Sequence, residues 1–317
     1  MNTKFKSKAM RVAAKLAIAV SILSPAAAMA AMGVSTGSST GTYYAVAQDL
    51  QRVCKGSVDM KIYESAGSLS NLERIFSDPN VQYGIVQEDA LLYKKISDPE
   101  LMSKIRVVAP FYREEITLVA GANSGINGLA DLAGKRVALG SEGSGNYVSS
   151  VVVLSKVGLI DKVKTIMASP KDGLDMLANG QADAVFVVGG KPFPLLRDLG
   201  AFAKGRVKIV PMSSPALDGF YHKAMIPEGI YAWQTTAVQT YSVQSVLATF
   251  DYKSPTMQKD IGNLVKCMSD KLPQLQETGH PKWREVDLSD LTRVNWPVHP
   301  AALKALGQAA PATAKKK

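Results

Sequence analysis

Two stretches of this chain share one design. "VSTGSSTGTYYAVAQDL" (34–50) and "VALGSEGSGNYVSSVVVL" (137–154) each run from a short apolar segment, through a loop of Gly, Ser and Thr, into a helical pattern. This places each loop at the carboxyl end of a strand, which is where open α/β sheets bind ligands. Little side-chain bulk lets such a loop approach a ligand closely. Its hydroxyls and backbone N–H groups then donate, and the helix N-terminus behind it favours negative charge. A single loop of this kind is explained as well by a tight turn with a helix cap. Two matched loops, each richer in glycine and hydroxyls than a cap requires, point to binding.

The rest of the chain fits the same architecture. Strands are expected at 32–36, 58–64, 82–86, 105–109, 116–120, 136–140, 164–167, 184–188 and 207–210, with helices at 42–54, 69–76, 145–157 and 173–178. This alternation predicts an α/β protein with largely parallel sheets. The order strand, glycine loop, helix opens twice. "NLERIFSDPNVQYGIVQEDA" is likewise echoed by "GLDMLANGQADAVFVVGGKP", which predicts two similar lobes. After Tyr241 the chain reads as helical, and beyond Leu306 as a flexible basic tail, 307–317.

Residues 1–30 read as a cleaved export signal. Lys4, Lys6, Lys8, Arg11 and Lys15 precede the short apolar core "LAIAVSIL" and the small-residue stretch "SPAAAMA". That core is too short to span a bilayer, cleavage is expected after Ala30, and no Cys follows to carry a lipid. The whole chain has 37 basic and 27 acidic residues, a net of +10; without the five signal bases it falls to +5, three of which are Lys315, Lys316 and Lys317. So slight a basic excess argues against a nucleic-acid partner. About 285 remaining residues exceed what one core usually absorbs, so two domains are expected. The two cysteines, Cys54 and Cys267, are either separate buried thiols or, given export, a disulfide.

Catalytic and nucleotide readings find little. The phosphate-loop and dinucleotide glycine patterns are not met. His222, His280 and His299 have neither an adjacent nucleophile nor metal-ligand spacing, and no Cys-x-x-Cys or Gly-x-Ser-x-Gly occurs. The adjacent acids Glu114 and Glu115 read as solvated. No enzyme activity, cofactor or metal is expected. Binding candidates come from the strand ends. Lys191 is the one cation in these motifs, and Tyr44, off the buried face that Tyr43 joins, is expected at the mouth of the first loop.

In order, "STGSSTGTYYAVAQDL", "ESAGSLSNLERI", "YGIVQEDALLY", "LAGKRVALGSEGSGN" and "GQADAVFVVGGKP" resemble the TAXI family of solute receptors that serve tripartite ATP-independent periplasmic (TRAP) transporters. "TGHPKWREVDL" resembles one branch of it, and the likeness runs over roughly 33–287. The resemblance implies an α/β type II periplasmic binding-protein fold: two α/β lobes joined by a two-strand hinge, with the ligand cleft between them. Lobe 1 would be 31–116 with 239–306 and lobe 2 would be 117–238, with hinges near 113–117 and 235–239. It implies a monomeric periplasmic receptor, not itself membrane-spanning, that closes on a small organic anion, glutamate-like or another dicarboxylate, and delivers it to a TRAP permease. The alternative is a ligand-sensing subunit of a membrane signalling receptor. Family contacts carried onto this sequence are Ser39, Thr40, Tyr44, Ser65, Ser68, Gln87 and Asp89 from the first lobe. Ser144, Gly145, Asn146 and Lys191 come from the second. Serines replace some of the family's first-loop glycines.

Overall fold

A computed structural model describes residues 31–309. The expected signal segment, 1–30, and all but the start of the expected tail lie outside the described residues. The chain runs β1 (Met32–Ser35), α1 (Thr42–Val53), β2 (Met60–Tyr63), α2 (Ser68–Ser77), β3 (Tyr83–Gln87), α3 (Glu88–Ser97), α4 (Pro99–Met102) and β4 (Ile105–Gly121). It continues with β5 (Arg136–Ala138), α5 (Gly145–Lys156), β6 (Lys164–Ile166), α6 (Pro170–Ala178), β7 (Ala184–Gly189), α7 (Pro194–Asp198) and β8 (Val207–Val210). It ends with β9 (His222–Ile226), β10 (Val238–Phe250), α8 (Pro255–Thr278) and α9 (Pro300–Ala305).

The strands join in the order β2-β1-β3-β10-β4-β7-β5-β6, with β8 on β4 and β9 on β10. The order is symmetric about the β10–β4 pair. The parallel trio β2-β1-β3 is closed by antiparallel β10, and the parallel trio β6-β5-β7 by antiparallel β4. Each glycine loop therefore leaves the middle strand of its own trio. Both faces of the sheet are covered. Ile85 packs with Val34, Leu50 and Leu264, while the next residue, Val86, packs with Leu72, Ile105 and Trp296 on the opposite side, because successive strand side chains alternate faces. Phe186 and Val185 do the same for the second trio.

The central pair departs from the sequence reading. The expected strands 105–109 and 116–120 are one strand, β4, in which only Arg113 is exposed. Pro110 is tolerated inside it because it lies at a register shift, where Gln244 opposes Arg113 and Val246 opposes Pro110; a bulge needs no ladder N–H from proline. The segment read as helical after Tyr241 is strand β10 through Phe250, and β9 was not anticipated. Residues 241–244 of β10 pair with 116–113 of β4, a few residues beyond the second expected hinge segment.

Cys54, just after α1, is disulfide-bonded to Cys267 in α8, closing a sequence separation of 213 residues. Helix α8 starts at Ser254, whose side chain accepts from Met257 N, with Pro255 in its first turn. The start of the expected tail is anchored: Gln308 Oε1 accepts from Leu291 N (2.8 Å), and its Nε2 donates to the Leu288 carbonyl (2.8 Å). Among the described residues no helix is long and apolar enough to cross a membrane.

Candidate functional site

Four helices point their N-termini into one cavity of about 280 Å³. Helices α1 and α2 follow β1 and β2; α5 and α6 follow β5 and β6, so each trio contributes two. Gly41, Gly67, Ser144 and Ser169, the residues that cap these helices, all line the cavity. A helix leaves the N–H groups of its first turn without intrahelical partners, so this convergence supplies donors and positive potential from two directions. Val188, Gly189 and Phe193 add an apolar wall, and the end of β3 and the middle of β4 add Gln87 and Glu114.

The two sides of the cavity are in contact. Ser70 N donates to the Gly143 carbonyl (3.0 Å), and Ser149 Oγ and Tyr221 Oη each donate to Asp89 Oδ2 (2.7 Å). Gly67 takes φ of +127°, and a Cβ there would lie 3.2 Å from Ser144 Cα. A Cβ on Gly145 would lie 2.0 Å from Gln87 Oε1. Glycine at both positions is what allows the loops to meet.

The expected ligand residues divide into three groups. Ser65, Ser68, Gln87, Ser144, Gly145 and Asn146 line the cavity. Several of them are already engaged. Asn146 Nδ2 donates to the Leu139 (2.6 Å) and Phe186 (3.0 Å) carbonyls, and its Oδ1 accepts from Val188 N (2.7 Å). Its amide thus ties α5 to the ends of β5 and β7. Asn71 does the equivalent in α2, donating to the Thr36 and Ile85 carbonyls and accepting from Ser35 and Ser65. Ser144 Oγ donates to the Ser141 carbonyl and accepts from Tyr147 N.

Ser39, Thr40 and Tyr44 are not brought to the cavity. Ser39 and Thr40 are exposed; Ser39 N donates to Glu64 Oε2 (2.7 Å), and Thr40 Oγ1 lies 3.1 Å from Ser38 Oγ. Tyr43 lines the cavity in place of Tyr44, its hydroxyl 3.4 Å from Ser68 Oγ. A one-residue step on a helix turns a side chain by about 100°, and the α1 residues facing the core leave Tyr43 on the loop side.

Asp89 and Lys191 serve neighbouring contacts instead. Asp89 is buried beside the cavity, held by Ser149 and Tyr221, and burial pushes its carboxyl up to about 6. Lys191 Nζ pairs with Glu115 Oε1 (2.6 Å), which also receives the buried Lys282 Nζ (2.9 Å). The cation expected to meet an anionic ligand is thus neutralised by a protein carboxylate.

Glu114 and Glu115, read as solvated, are both buried at 3% exposure. Their setting in the apolar run "VVAPFYREEITLVA" was the available sign, since a charge inside such a strand needs a partner. Glu115 has its lysines. Glu114 is the one charged side chain among the described residues lining the cavity. Its Oε2 accepts from Gln87 Nε2 (2.9 Å), and its Oε1 has no partner. Burial pushes its carboxyl up to about 7, against the lowering influence of Tyr43 and Gln87.

Two α/β trios joined by a crossing strand pair, with helix N-termini facing a shared cleft, define the type II periplasmic binding-protein fold. A protein from Bordetella bronchiseptica superimposes with a TM-score of 0.53 at 17% identity, over 89% of this chain and 90% of that one. A Xanthomonas citri protein solved bound to ATP gives 0.51 at 11% identity, over 88% and 94%. The substrate-binding protein of an amino acid ABC transporter gives 0.50 at 14%, over 78% and 94%. The chain belongs to the NMT1-like family, whose model matches residues 34–307.

Proposed function

We propose that this protein is an exported periplasmic solute receptor that closes two lobes, 31–116 with 239–306 and 117–238, on a small organic anion. It hands that anion to a TRAP permease. The convergence of four helix N-termini, two from each trio, on one small cavity carries this reading. A carboxylate held there replaces hydration with oriented N–H donors, and excluding water strengthens each bond. The hinge would be β4 and β10 at their mutual pairing, residues 113–116 and 241–244. The resemblance to TAXI receptors supports the TRAP partner and a glutamate-like or other dicarboxylate ligand. The substrate-binding protein of an amino acid transporter among the fold relatives supports a receptor role without chemistry of its own.

Thermal unfolding against a panel of carboxylates, amino acids and sulfonates tests this, after denaturation and refolding to strip any carried-over ligand. A ligand at about a thousand times its dissociation constant adds about 4 kcal/mol, a rise on the order of ten degrees. A flat panel would refute the small-anion receptor.

A further inference from the structure

One buried acid outside the ligand cavity joins the two sides of the molecule. Asp89 stands in the first turn of α3, directly after β3, and is 2% exposed. Its two side-chain donors both come from the other side, Ser149 Oγ of α5 and Tyr221 Oη just before β9, each at 2.7 Å. Asp89 and Tyr221 line a neighbouring cavity of about 370 Å³ and not the one onto which the helices converge. These contacts are therefore made between the lobes themselves, independently of any ligand group.

Ser149 carries the contact back to the cavity. It lies four residues after Gly145, on the same face of α5, and Gly145 with the capping Ser144 lines the cavity. Holding Ser149 against α3 thus fixes where the α5 N-terminus stands over the cleft. Tyr221 packs in one apolar cluster with Val153 and Leu154 of α5, so the two hydroxyls move as one body. Burial alone disfavours a carboxylate, and the hydroxyls together with the N-terminus of α3 offset that cost. A covered carboxylate stripped of those donors would be worse off than one in water. Parting the lobes would then be the way to hydrate it.

We infer that Asp89, Ser149 and Tyr221 form a clasp across the lobes, in which Asp89 is a positioning residue that holds the α5 N-terminus over the cavity. The clasp keeps a measurable share of the ligand-free protein closed. This rests on the two-lobe receptor reading above and adds residues that set affinity without touching the ligand.

Small-angle scattering of the ligand-free mature protein, fitted as a mixture of this arrangement and an opened one, tests the clasp without a ligand. Ser149→Ala with Tyr221→Phe removes both donors and should raise the open-to-closed ratio about tenfold or more, with circular dichroism unchanged. Adding Asp89→Ala removes the charge that needs them, and this triple variant should recover the closed share. A merely structural role predicts the reverse, further damage from a third substitution. Should the double variant not fold, Tyr221→Phe alone must show part of the expansion. A wild-type protein with no closed share overturns the clasp and leaves the receptor, which the ligand panel tests separately. A double variant as closed as the wild type also overturns it. A triple variant that stays as open as the double one overturns the assignment to Asp89.

Discussion

Gly145→Ala isolates closure from folding. Gly145 opens α5 without a positive φ, so alanine suits the helix and restricts the unfolded chain, raising stability by about 0.4–1 kcal/mol. The new Cβ, however, would lie 2.0 Å from Gln87 Oε1 and 2.5 Å from Ser68 Oγ, where ordinary contacts begin near 3.4 Å. Those atoms belong to the opposite side of the cleft, so the strain arises only when the sides meet. Relief requires either that the sides part by more than an ångström or that Gln87 swings away and gives up its bond to Glu114. Losing a hydrogen bond to a charged group costs about 1.5–3 kcal/mol, which weakens binding roughly ten- to a hundredfold. Thermal unfolding without ligand should show an unchanged or slightly higher midpoint. Titration with the tightest ligand of the panel should show the loss, and solution scattering of the liganded form should show a larger radius of gyration. Wild-type affinity together with a wild-type radius would refute the argument that Gly145 sets how closely the cleft shuts.

Further outcomes follow from other contacts. Cys54→Ser with Cys267→Ser opens a covalent loop of 213 residues and should cost about 5 kcal/mol by chain entropy alone; denaturant unfolding that matches the oxidised wild type would refute this. Asn146→Ala removes three buried hydrogen bonds and should lower ligand-free stability by roughly 3 kcal/mol, so its damage would appear in unfolding before it appears in binding. Between about pH 4.5 and 7 the Glu114 carboxyl keeps, in the folded protein, a proton that the unfolded chain has released. Stability therefore falls as pH rises through that window, by roughly 3 kcal/mol for this group. Glu114→Gln should flatten that slope in urea unfolding at pH 5, 6, 7 and 8; an unaltered slope would place the dependence on another group, with buried Asp89 the next to change.

Much of this site was legible from local chemistry. Glycine, serine and threonine between an apolar run and a helix marked both loops, and these loops do line the cleft. What was hidden depends on tertiary placement. Strand β10 reads poorly because its buried positions include Thr240, Ser245 and Thr249. Their hydroxyls donate to the Ile116, Tyr112 and Gln82 carbonyls of adjoining segments, so polar residues stand where an apolar pattern was sought. Glu114 was hidden for a related reason, since a pair of acids declares its burial only through the strands on either side. Asn146 shows the converse. Its position at a helix N-terminus was readable, but one of the two backbone carbonyls that take its amide, that of Phe186, belongs to a strand that the sequence places after another helix.

The sheet order has a consequence for how the chain is made. Strand β3 ends at Gln87, and the strand that belongs between it and β4 does not begin until Val238. While ribosomes extend the intervening segment, β3 and β4 each present an edge that only β10 will pair. Late pairing over so long a separation is slow, so β3 and β4 wait for β10 to emerge. It also leaves open edges that invite association between chains. A polypeptide arrested before Val238 should therefore aggregate, however well its first glycine loop is formed.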